Sequence, residues 1–198
     1  MAESLLNIFD KNQYDLGSAG TKSTAWFNQQ VLLMGRENIT PKRLMRAGAA
    51  NEVQMTTNIL PGNMYMFFYD AKHKDTLPYW DRFPLLLPFD KTATGFMGLN
   101  LHYLPYMLRV QLLNKLLQFK NNSKMDETTK LRYSWATISG SSKFAAAKPC
   151  VKQYLNSHVR SPFRKVNSQD WATAMLLPVE QFVGKNKLTV WADSKRNM

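Results

Sequence analysis

The side chains best suited to hold a metal in this 198-residue chain are His73, His102, His158 and Cys150. No two of them stand at a helix-compatible ligand spacing such as HxxxH, and Cys150 and His158, eight positions apart, match no common zinc arrangement. No metal site and no cofactor is expected. With a single cysteine there is no intrachain disulfide, which suits a reducing compartment. Asp81 is the carboxylate most suited to acid–base work, because Trp80 and Arg82 flank it in an aromatic stretch able to perturb its ionisation. The same position also reads as a turn carboxylate that accepts backbone N–H bonds or pairs with Arg82. No GxSxG elbow and no Ser/His/Asp grouping accompanies it, so the turn role is preferred and no enzyme is expected. Gly95 and Gly98 precede a strand-like segment instead of opening a helix, which is not a nucleotide fingerprint. SGSSKF, with Gly140 and Lys143, offers an anion nest but lacks Walker spacing and reads as a turn.

Charge is the stronger signal. The chain carries 26 Lys/Arg against 14 Asp/Glu, a formal net charge of +12. Between Glu127 and Asp170 there is no acid at all, yet Lys130, Arg132, Lys143, Lys148, Lys152, Arg160, Arg164 and Lys165 fall there. A positive field of this kind attracts phosphates or an acidic protein surface. Aromatics interleave with the cations in RYSW (132–135), in KQYLNSHVRSPFRK (152–165) and in YDAKHK (69–74). Lys and Arg bind backbone phosphates, and exposed rings stack on unpaired bases. Taken singly, Tyr133, Trp135, Tyr154 and Phe163 read as core. A nuclease would need clustered carboxylates to hold metal ions, and the acid-poor second half argues against one.

These residues must be positioned by an α+β fold. Residues 1–62 read as a helical N-terminal arm and 63–198 as one α+β domain, with a β core at 63–104 and a helical part at 105–198. In the arm, ITPKRLMRAG is well marked: Thr40 can cap, Pro41 suits the first turn and Gly48 the end. MYMFFY, LLLPF and FMGLNLHY read as three strands joined by turns, a small antiparallel sheet or SH3-like barrel. The leucines of PLLLPF and Phe83 are expected to plug this sheet against the helix that begins at Pro105. That helix carries a stripe of Leu108, Leu112, Leu113, Leu116 and Leu117. DETTKLRYSW, KPCVKQYLNSHV, SQDWATAML (capped by Ser168) and VEQFVGK read as further helices. The N-terminal residues lack the pattern of an export signal. The apolar runs fall short of the roughly 20 residues a membrane span needs, so no membrane partner is expected.

The blocks MYMFFYDAKHKDTLPYWDRFPLLLPF, GFMGLNLHYLP, KPCVKQYLNSHVRS and LTVWADS resemble the DNA end protector, or head-completion, family of T-even-type contractile-tailed bacteriophages. The resemblance runs from about residue 20 to the C-terminus and is most specific in LPYWDRFP and GLNLHYLP. It implies a virion protein, assembled in the host cytoplasm, that sits on the ends of packaged double-stranded DNA. There it would shield them from exonucleases and help join head to tail. Contacts would run through phosphates, without base readout. Lys143, Lys148, Lys152, Arg160, Arg164 and Lys165 are the expected DNA contacts. Trp80, Asp81, Arg82, Phe83, Asn100 and His102 are expected to be fold-determining. The alternative is a structural subunit of a baseplate or neck, using the same cations against the portal or other virion proteins, with no DNA role.

Overall fold

Side chains alternate between the two faces of a strand, so three buried leucines in a row require a sheet covered on both sides. A computed structural model describes residues 39–49, 55–120, 145–167 and 170–198, with single positions 29, 32, 136 and 140, and it shows both covers. Leu86 joins an aromatic cluster of Tyr65, Phe67, Phe96, Tyr154 and Phe163. Leu85 and Leu87 join a larger core with Phe83, Val110, Leu113, Trp171 and Met175, on the helical side.

The strands are β1 (Met55–Thr56), β2 (Met64–Met66), β3 (Trp80–Asp81), β4 (Leu85–Thr92), β5 (Gly95–Asn100), β6 (Val151–Leu155), β7 (Phe163–Val166) and β8 (Phe182–Val183). Six of them form one antiparallel sheet in the order β1-β7-β2-β4-β5-β6, and β3 pairs with β8 in a second. The helices are α1 (Pro41–Ala49), α2 (Tyr106–Lys120), α3 (Trp171–Leu176) and α4 (Lys187–Arg196). The class is α+β. In the sheet order three strands separate β6 from β7. Even so, Tyr154 of β6 and Phe163 of β7 both pack on Phe67, with ring centroids 5.4 and 4.9 Å away. The sheet is therefore strongly curled. A 3-10 turn, Asn156–His158, carries the chain across its open side, and Tyr69 bridges to Val159. Strand order and curl fit the SH3-like alternative.

Local signals account for much of this. Thr40 starts α1: its hydroxyl accepts the Arg43 N–H at 3.2 Å, and its carbonyl accepts the Leu44 N–H. The Pro105 carbonyl accepts the N–H groups of Leu108 and Arg109, closing the first turn of α2. Gly95 stands where β5 presses on β6, and a Cβ there would lie 1.8 Å from the Tyr154 carbonyl oxygen.

Three expectations are corrected. KPCVKQYLNSHV is not a helix but a 3-10 turn followed by strand β6, because pairing with the β5 edge outweighs a short, ambiguous apolar pattern. VEQFVGK contains strand β8, which pairs with Trp80 and Asp81, so β structure extends well past residue 104. The stripe of α2 is modified: Leu113 is buried as expected, Leu108 and Leu112 pack partly buried against the core, Tyr106, Arg109 and Val110 join the buried face, and the side chains of Leu116 and Leu117 lie outside those described. The residues before 39 other than positions 29 and 32, the DETTKLRYSW segment, Lys143 and Ser168 lie outside the described residues.

Candidate nucleic-acid interface

The two blocks LPYWDRFP and GLNLHYLP meet at the Asp81 carboxylate, which is buried in β3. One of its oxygens accepts the Phe83 N–H at 3.0 Å and the Gln181 N–H at 3.3 Å. The other accepts from Asn100 Nδ2 at 3.0 Å and from His102 Nδ1 at 2.8 Å. Asn100 also donates to the Tyr154 hydroxyl and accepts the His102 backbone N–H. The carboxylate is thus fully occupied, and it ties the β3 turn to the end of β5 and to β6. With His102 wholly enclosed and all four acceptor positions of Asp81 filled, the cluster holds shape. Phe83 lies in the core, whereas Arg82 is exposed and lies over the Trp80 ring at 5.9 Å.

Two of the aromatic and basic segments come together on the open side of the curled sheet. The His158 carbonyl accepts the Asp70 N–H at 3.0 Å, and His158 Nδ1 donates to the Asp70 carbonyl at 2.8 Å. The rings of Tyr69 and Tyr154 lie 4.8 Å apart. Lys74 and Arg160 share one carboxylate, Asp70, at 3.2 and 3.6 Å. The Lys74 hydrogen bond, aided by Arg160, holds Asp70 below the usual carboxylate range. With Lys72 and His73 exposed beside them, residues 69–74 and 152–160 form a surface with more cations than acids.

The six cations singled out from the sequence are placed very differently. Lys148 is exposed on the 3-10 turn before β6, and Arg160 is half-exposed on the surface just described. Lys165 is half-buried on β7. Lys152 is largely enclosed, with its ammonium 4.1 Å above the Tyr103 ring. Arg164 is 6% exposed and donates to the Leu44 carbonyl of α1. It alternates with Phe163 and Lys165 along β7 and so takes the helix-covered face. Lys143 lies outside the described residues. The acid-free run in the sequence is thus not one continuous patch in space.

A second buried hub escaped the sequence reading. Arg109, wholly buried, donates to the carbonyls of Leu104 (2.7 Å), Met175 (3.2 Å) and His102 (3.2 Å), and to Glu180 Oε1 at 2.6 Å. Its guanidinium packs over Tyr106 and Trp191, and Lys187 approaches the other Glu180 oxygen at 3.6 Å. Burial works to raise the Glu180 carboxyl, but Arg109 foremost outweighs it and holds it at about 2. The signal was present: Arg109 stands at i+3 from Tyr106, on the same helix face as the apolar residues at i+4 and i+7.

Among the described residues no group of three His, Cys, Asp or Glu side chains is placed to hold a metal ion, and no helix is long and apolar enough to cross a membrane. Neither the curated proteins nor the solved structures include a match to the chain. One family model, described as phage T4 terminal DNA protecting protein, matches residues 7–194. That span takes in both hubs and the surface formed by 69–74 and 152–160, and it shows that the chain belongs to the phage T4 terminal DNA protecting protein family.

Proposed function

We propose that this chain is a non-enzymatic virion protein that occupies the ends of packaged double-stranded DNA, blocks exonucleases there and helps complete the head for joining to the tail. The observation that carries the reading is the family match across nearly the whole chain. The physical support is the surface where Lys74 and Arg160 share a single carboxylate, Asp70, with Lys72 and His73 exposed in the same segment. An excess of cations draws phosphates without reading bases. Other virion proteins, at the portal or neck, are the expected neighbours.

The test is exonuclease digestion of a linear duplex with and without the protein, beside the same duplex closed by hairpins at both ends. Protection of the open-ended duplex, with the DNA recovered intact in the presence of magnesium, is the expected result. Digestion at the unprotected rate would remove the DNA role and favour the neck or baseplate alternative. DNA cleavage by the protein itself would overturn the non-enzymatic part.

A further inference from the structure

A cavity of about 480 Å³ opens beside this surface, along β6, the last strand of the sheet among the described residues. Its size falls within the roughly 300–1,000 Å³ of small-ligand sites. Tyr79, Trp80, Tyr103 and Tyr154 supply aromatic walls, Leu77 and Lys152 also line it, and Lys72 and His73 stand among its exposed residues. Asp81 also lines it, but its oxygens are taken by four hydrogen bonds and are closed to a ligand.

Lys152 is the anomaly. A lysine this enclosed ordinarily has an anionic partner, because a desolvated ammonium without one is costly. Among the described residues Lys152 forms no ion pair, and the Tyr103 ring is its company. Burial lowers its ammonium below the usual lysine range, as expected for a charge still lacking a counter-ion. An anion entering the cavity would supply one. The walls say what should accompany that anion: Tyr79, half-buried with the Lys185 ammonium 5.0 Å from its ring, and Leu77, 43% exposed, offer surfaces for a flat ring.

Resting on the DNA-end reading above, we propose that this cavity holds the phosphorylated terminal nucleotide of a DNA end, with the phosphate on Lys152 and the base against Tyr79 and Leu77. The terminal pair of a duplex opens more readily than an internal one, and stacking accepts any base. The site therefore distinguishes ends from internal duplex without reading sequence. Lys72 and His73 are then placed to meet the neighbouring phosphates.

The experiment measures binding of thymidine 5′-monophosphate by calorimetry, against thymidine and inorganic phosphate, for the wild type, Lys152→Met and Tyr79→Ala. Exonuclease protection of 5′-phosphorylated and 5′-hydroxyl linear duplexes is measured in parallel. The monophosphate should bind more tightly than either part alone. Each substitution should weaken it by about tenfold or more, and protection should favour the 5′-phosphate end. Lys152→Met removes an enclosed charge, so its melting temperature should not fall; Tyr79→Ala tests the ring if it does. Wild-type protection of DNA with no monophosphate binding, or with folded variants that bind it unchanged, overturns the cavity assignment and leaves the DNA-end reading standing. Monophosphate binding without any DNA protection supports a nucleotide site and removes the DNA-end reading.

Discussion

Replacing Glu180 by leucine removes the carboxylate from a guanidinium that is wholly buried. Arg109 keeps its bonds to the carbonyls of Leu104, Met175 and His102, so its donors stay largely satisfied and the loss is one of charge. Breaking a buried ion pair from one side costs about 3–5 kcal/mol. For a domain of this size, each kcal/mol corresponds to roughly 2–4 °C in melting temperature. A fall of about 6–20 °C is therefore expected in a thermal melt followed by circular dichroism, with a matching drop in urea midpoint. Combining Glu180→Leu with Arg109→Met removes both charges, and the double variant should recover most of that loss, giving a coupling of about 2 kcal/mol or more. The pH dependence follows from the same contact. The Glu180 carboxyl is held at about 2 in the folded chain, below its unfolded value. The stabilisation is thus complete above about pH 4.5 and is lost as pH falls from there towards 2. Asp70 and Asp193, also held low, add to the acid sensitivity in the same direction. Glu180→Gln should flatten part of that acid loss. A Glu180→Leu loss below about 1 kcal/mol, or a double variant no better than the sum of its singles, would refute the reasoning.

Other residues give sharper, smaller tests. Gly95→Ala would place a Cβ 1.8 Å from the Tyr154 carbonyl, so β5 and β6 must separate; a loss of about 2 kcal/mol or more is expected by urea titration. Cys150 is fully buried and its thiol is pushed up to about 12, so it should resist a thiol reagent at pH 8 until the chain is unfolded, and fast native labelling would contradict its placement. Arg160→Ala and Arg164→Ala should separate cleanly. The first should weaken DNA binding at an unchanged melting temperature, and the second should lower stability through the lost Leu44 contact.

Features fixed by neighbouring residues were legible in the sequence. Thr40 and Pro41 mark the start of α1, and Pro105 marks that of α2. The turn role of Asp81 follows from a short carboxylate set before a buried strand, although its partners Asn100 and His102 could be named only as motif members. Strand β6 was not legible. Val-Lys-Gln-Tyr-Leu fits a helix or a strand over so few residues, and the decision comes from the β5 edge, where Gly95 lets β6 approach. Nor does a run of cations define a surface. β7 directs Arg164 into the core while Lys165 stays half-exposed, and β6 draws Lys152 against an aromatic wall. Arg109 was passed over because its partner carboxylate, Glu180, lies 71 positions away in the sequence.

The most direct measurement of DNA-end binding is a competition for the protein between a linear duplex and a covalently closed circle of the same sequence, repeated over a range of salt concentrations. A handful of phosphate contacts predicts a log–log slope of about −2 to −4, with the linear form preferred at every salt concentration. Equal affinity for line and circle, or a slope near zero, would contradict it.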